Sequence, residues 1–144
     1  MRAAIAAEHG ARHVPSLAHP AAALVEHGSA SVVDDLRALA GVRVFFGHHS
    51  VGRGILEGVD DIARSLRGRV HVESAAVGDN GDPLGKIADF EGRALRSAAD
   101  VVVMKLCYAD ICPDANVDAL VDAYARSVSR ITAARPGVVV VHTV

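Results

Sequence analysis

The sequence predicts an α/β fold, a parallel sheet with helices on both faces. Two observations predict it. Stretches with apolar residues at helical spacing alternate along the chain with short apolar runs rich in Val and Phe. Three of those runs end in polar turns of the kind found at the carboxyl edge of a parallel sheet. The order αβαβαβαβ requires crossover connections, which are right-handed and place helices on both faces. A chain of 144 residues with 51% hydrophobic content is long enough for one domain with a real core.

The elements follow in order. Residues Met1 to Gly28 are rich in Ala and His and broken by Pro15 and Pro20, so residues 1–30 read as an N-terminal arm or tail. Ala21–Val25 fits one helical turn, and His9, His13, His19 and His27 match no metal-ligand spacing. Ser31 opens the first helix, with Ser31 and Asp34 in the S-x-x-D form of a capping box. Val32, Val33, Leu36 and Leu39 form its apolar face, and Gly41 ends it.

Val42–Phe46 reads as a buried strand that stops at Gly47. A helix from about Val51 to Leu66 follows, with Val51, Ile55, Leu56, Val59, Ile62 and Leu66 on one face. Val70 to Val77 is the second strand. It ends in GDNGDPLG, Gly78 to Gly85, where Gly, Asp, Asn and Pro mark a turn that brings bare backbone close to its surroundings. The next helix is placed from about Leu84 to Ser97, with Leu84, Ile87, Phe90, Ala94 and Leu95 inward. Asp100–Leu106 is a third, central strand, closed by CYADICPD. Val117, Leu120, Val121, Tyr124, Val128 and Ile131 line the last helix, and Pro136-Gly137 leads into the strand Val138–Val144.

Composition removes several classes of function. The net charge is −2 with no basic cluster, so nucleic-acid binding has little support. No stretch stays apolar for the roughly twenty residues that a membrane span requires. The N-terminus lacks the apolar run of a signal peptide, which points to the cytoplasm. Cys107 and Cys112 have no CxxC spacing; their closeness allows a structural disulfide, but two reduced thiols is the better reading.

The turns HHSVG, GDNGDP and CYADI all leave the same edge of the inferred sheet, so they converge on a shared site. Ser50 stands where the first strand turns into a helix. A hydroxyl there projects over the sheet edge, beside the first free N–H groups of the helix, which can hold an oxyanion. The same position also suits a plain N-cap. A base must come within hydrogen-bond reach of a nucleophilic serine. His49 and His48 adjoin it in sequence, and His142 lies in the last, apolar strand, where a histidine is more often a core residue than a catalyst.

These residues resemble the SGNH (GDSL-type) hydrolases, a family of esterases, lipases and carbohydrate deacetylases. Gly47-His48-His49-Ser50 is similar to that family's first block, with one extra residue and no Asp. Gly78 matches by position the glycine whose N–H serves the oxyanion hole. Asp100-Val101-Val102-Val103-Met104-Lys105-Leu106-Cys107-Tyr108-Ala109-Asp110-Ile111 lies along the third block. The likeness is closer to a branch carrying F-G-H-x-S-V-G, D-P-L and K-x-C-Y-x-D-I, read here as FGHHSVG, DPLGKI and KLCYADI.

The resemblance spans roughly Ser31 to Val144. It implies a flavodoxin-like three-layer sandwich with strand order 2-1-3-4, the fifth strand missing, over a domain of residues 31–144 that is incomplete at its C-terminus. It also implies a serine hydrolase with Ser50 as nucleophile. Ser50 and Gly78 N–H would serve the oxyanion, and Asp110 would order the site; Asn80 offers an amide in place of the missing asparagine, although capping its own turn is the better reading of that residue. The substrate would be a small ester or an acetylated carbohydrate, with no cofactor and no metal.

The pattern departs from the family at two places. The oxyanion asparagine of the third block falls on Ala109, which has no amide. The D-x-x-H that supplies the family's catalytic Asp and His does not appear before Val144, so this chain is expected to turn over weakly. The alternatives are a non-catalytic module binding a small polar or glycan ligand in the same crevice and, last, a metal site on His48, His49 and His142. The final strand, with no Lys, Pro or Gly inside it, is expected at the sheet edge, where it would favour a homo-oligomer or be covered by the Met1–Gly28 arm.

Overall fold

The computed structural model describes residues 30–49, 51–65, 67–111 and 114–143. The N-terminal arm, Ser50 and Cys112 therefore lie outside the described residues. The elements are α1 (Ala30–Leu39), β1 (Arg43–His48), α2 (Val51–Ser65), β2 (His71–Ala76), α3 (Pro83–Arg96), β3 (Val101–Lys105), a short 3₁₀ turn (Tyr108–Asp110), α4 (Val117–Ala134) and β4 (Val139–Thr143). The four strands form one parallel sheet in the order β2-β1-β3-β4. The α/β class, the parallel sheet and the strand order stand as the sequence and its resemblance implied.

Alternation along each strand decides which side chains meet which helices. Phe45, Val102 and Met104 share a core with Ile87, Phe90 and Ala94 of α3 and with Leu120 and Ile131 of α4. Phe45 and Phe90 stack with ring centroids 6.0 Å apart. α2 packs on β1 from the other face, because Gly52 of α2 sits directly against the side chain of His48, which is two residues along from Phe46. β3, with Val102 and Met104 fully buried, is central; β2 and β4 are the edges. On the α2 face of β4, Val139 and Val141 are exposed.

Several boundaries move, each for a physical reason. β1 does not stop at Gly47 but runs to His48, paired with Ala75 and Ala76 of β2. Gly47 is inside the strand because a Cβ there would lie 2.7 Å from the Phe90 ring; the glycine is a packing choice, not a breaker. α1 begins at Ala30, which puts Ser31 inside the helix rather than at its cap, and the Asp34 side chain bonds Arg37 at 2.9 Å. α3 begins at Pro83 with Asp82 as its cap, accepting the Gly85 N–H at 2.9 Å. Leu84 and Leu95 face outward, and the inward place goes to Lys86 beside Ile87, Phe90 and Ala94.

Arg130 of α4 forks onto Glu91 of α3 (2.6 and 2.5 Å), fixing the two helices side by side. At the amino edge Asp100 accepts from the Arg43 backbone N–H and guanidinium, and those bonds hold its carboxyl at about 2. No described helix is long and apolar enough to cross a membrane.

Candidate functional site

Because all four strands run parallel, the ends of β1, β2 and β3 open on one edge. The loop after β2 and the turn after β3 are tied there by one buried carboxylate. Asp110 accepts Gly81 N–H at 3.0 Å and Cys107 N–H at 2.7 Å. It also accepts two bonds from Lys86 Nζ, at 2.9 and 2.7 Å. Both side chains of this ion pair are fully buried. The third Lys86 proton goes to Asn80 Oδ1 at 2.8 Å, so the ammonium has all three donors placed. Burial pushes the Asp110 carboxyl up, but Lys86 and the two N–H groups outweigh it and hold it below the usual carboxylate range.

Gly78 is positioned by the same network. It adopts φ +51°, and a Cβ on it would lie 2.8–2.9 Å from Cγ, Cα and N of Lys86. Its N–H does not face open space: it donates to Asp89 Oδ2 at 3.1 Å. This corrects the sequence expectation that the Gly78 N–H is available as an oxyanion donor. Asn80 is engaged through its oxygen, which fixes the amide plane without occupying its NH₂ group.

The loop after β1 brings the histidines to this edge. His48 Nδ1 lies 3.1 Å from the His49 carbonyl, and its ring tilts against Phe46. A carbonyl only accepts, so Nδ1 is the donor in that contact, and in the neutral ring the lone pair then sits on Nε2. His49 borders a small crevice with Val51, Lys105, Leu106 and Cys107, so it reaches across to the end of β3. Its Nδ1 is buried without a partner among the described residues. The Gly52 N–H returns to the His49 carbonyl at 2.7 Å, starting α2.

His142 is not brought to that crevice. It projects from β4 toward α3 and α4, packed edge-on to Phe90 and against Tyr124, with neither ring nitrogen hydrogen-bonded to a described residue. Burial pushes its pKa down to about 4. The three histidines therefore form no cluster, and no group of three metal-ligating side chains is assembled among the described residues. None of His48, His49 and His142 has a carboxylate partner among the described residues.

The pKa of His142 carries a prediction. A base whose pKa falls on folding is protonated first in the unfolded state, so its contribution is complete above about 6.5 and is lost as pH falls toward about 4. Discounted for a residue that keeps part of its surface in water, the loss is about 1–2 kcal/mol. Urea unfolding at pH 7 and pH 4 measures it. His142→Phe should lose less stability across that interval than the parent chain; equal losses would remove His142 as the cause.

Sequence reasoning missed Lys86 and Asp89. A lysine on a helix is ordinarily solvated, so residue type alone places Lys86 outside the core. One signal was present: Lys86 falls on the inward stripe with Ile87, Phe90 and Ala94. An Asp in the turn after a buried central strand calls for a cation.

Comparison with protein-family models, with curated proteins and with solved structures finds no match to this chain.

Proposed function

We propose that the chain is a serine hydrolase of the SGNH type, with Ser50 as the nucleophile toward an ester or an acetylated carbohydrate. The observation that supports it is the meeting of three loops at one sheet edge: the histidines before Ser50, the Gly78–Asp82 loop and the Cys107–Asp110 turn, the last two locked by Lys86 and Asp110. In that reaction Ser50 Oγ bonds to the acyl carbon, the C–O bond to the alcohol breaks, and a base passes the serine proton to the leaving oxygen. His49 and His48 are the candidates by position, with the Nε2 lone pair of His48 as the acceptor its tautomer leaves.

Triad catalysis needs a base held by a third group. The three candidate histidines lack a carboxylate partner among the described residues, so turnover of p-nitrophenyl acetate by this chain is expected near background. The second reading, a non-catalytic module for a small polar or glycan ligand, is favoured by one observation: the Gly78 N–H is taken by Asp89. A fluorophosphonate probe separates the two. Labelling that disappears in Ser50→Ala is the expected result; absence of labelling on folded protein gives the site to the binding module.

A further inference from the structure

We propose that Lys105 and His49 form a pocket for a single negatively charged oxygen, and that this pocket holds the oxyanion of the reaction read above. The inference rests on the hydrolase reading and supplies a group that it lacks. An acyl oxygen that takes up charge needs donors aimed at it in a site shielded from water. Most N–H groups at this edge are spent. Gly78 N–H goes to Asp89, those of Gly81 and Cys107 go to Asp110, and Gly52 N–H returns to the His49 carbonyl. Ala109 has no amide.

Lys105 is not spent. It ends β3 and alternates with the buried Val102 and Met104, so its side chain leaves the sheet on the α2 face. It is half-buried there, and its Nζ donates to the Leu106 carbonyl at 2.9 Å. That bond uses one of three protons, and no carboxylate pairs this ammonium among the described residues. Lys86, by contrast, has all three protons placed. A cation drawn out of water with no counter-charge calls for an anion.

The crevice says where that anion sits and how large it is. Lys105, Leu106 and Cys107 line it together with His49 and Val51, the two residues that flank Ser50 in sequence. Its volume is about 10 Å³, room for one oxygen atom and no larger group. His49 brings a second donor, because its Nδ1 is buried without a partner among the described residues. Val51 and Leu106 are apolar and keep the local dielectric low, which strengthens the attraction to Lys105. Asn80 also has a free NH₂ group, but it is not on the crevice wall. With His49 on the oxygen, the place of the base falls to His48 Nε2. As Ser50 Oγ adds to the acyl carbon, the C=O π pair moves onto the oxygen beside Lys105. It returns when the C–O bond to the alcohol breaks, and the base passes the serine proton to the leaving oxygen.

Formate tests the pocket, since it carries a charged oxygen and does not need Ser50. In NMR titrations of the isotope-labelled full chain, formate should shift the Leu106 and Cys107 amide signals saturably, in the millimolar range. It should do so equally in Ser50→Ala. It should not in Lys105→Met, which keeps the stem and removes the charge, nor in Lys105→Gln, a second neutral variant. Fluorophosphonate labelling tests the role in the reaction. There Ser50 Oγ bonds to phosphorus, the P–F bond breaks, fluoride leaves, and the phosphoryl oxygen takes the crevice. Lys105→Met should label about a hundredfold more slowly than the parent, and Lys105→Arg should recover part of the rate. Formate should slow labelling of the parent but not of Lys105→Met. Absence of formate shifts in the folded parent, or equal shifts in the neutral variants, would overturn the pocket. A parent and a Lys105→Met variant that label at the same rate would remove Lys105 from the reaction and leave the hydrolase standing. Formate binding through Lys105 without any labelling would remove the hydrolase, and the oxyanion role with it, and give a carboxylate pocket to the binding module.

Discussion

Lys86→Met is expected to cost about 3–5 kcal/mol, the range for removing one partner of a buried ion pair. That is a large share of the roughly 5–15 kcal/mol that holds a domain folded. The reason is the state of the partner left behind. Asp110 is fully buried and is fixed by the N–H groups of Gly81 and Cys107, so it cannot swing out to water when the ammonium is gone. Two loops come loose together, because Lys86 also holds Asn80. Urea unfolding at pH 7 measures the loss, and a variant within about 1 kcal/mol of the parent would show that the pair is dispensable. The pH dependence gives an independent sign. Asp110 has a lowered pKa, so the stability it brings is present above the ordinary carboxylate range and drains away as pH falls through its folded value. In Lys86→Met that carboxyl loses its cation and takes up a proton more readily. The gap between parent and variant should therefore narrow in acid. Adding Asp110→Asn to Lys86→Met should recover part of the loss, since the two positions share one interaction.

The fold was legible in this sequence because its signals are redundant. DVVVMKL and VRVFF are buried runs in a chain whose other stretches have helical period, and parallel pairing follows from their alternation. The site was legible only as far as loops are. His48-His49, GDNGDP and CYADI do lie at one edge, because strand direction alone decides that. What each group bonds to was not legible. The Gly78 N–H goes to Asp89, eleven residues on, and only the turn of α3 past the end of β2 makes that meeting. The end of β4 at the right edge makes His142 a candidate beside the serine, while its apolar strand favours a core place. Its ring falls on the α3 and α4 face, under Phe90 and Tyr124, since it shares the parity of Val140 along the strand. A partner found by three-dimensional approach leaves no trace in spacing. A partner found by strand parity does, and reading Val140 as inward would have turned His142 inward as well.

Gly78→Ala is the second large effect, about 3 kcal/mol, composed of two costs that act together. At φ +51° an L side chain strains against its own carbonyl, at about 1–2 kcal/mol. The added methyl then meets Cγ, Cα and N of Lys86 at 2.8–2.9 Å, which adds an overpacking cost of about 1–3 kcal/mol. The flexible Cγ can yield, but the Lys86 backbone cannot: its N–H is bonded to the Asp82 carbonyl at 3.0 Å in the first turn of α3. Relief must come from the loop, and moving the loop stretches the Gly78–Asp89 bond and the grip of Lys86 on Asn80. Gly78→Ala and Lys86→Met therefore disturb one network, and the double variant should lose clearly less than the sum of the two single losses. Urea unfolding of the two single variants and the double one measures this. An alanine accepted at Gly78 within about 0.5 kcal/mol, or losses that simply add, would mean that the loop is free of Lys86 and that the close approach is not what holds it at the sheet edge.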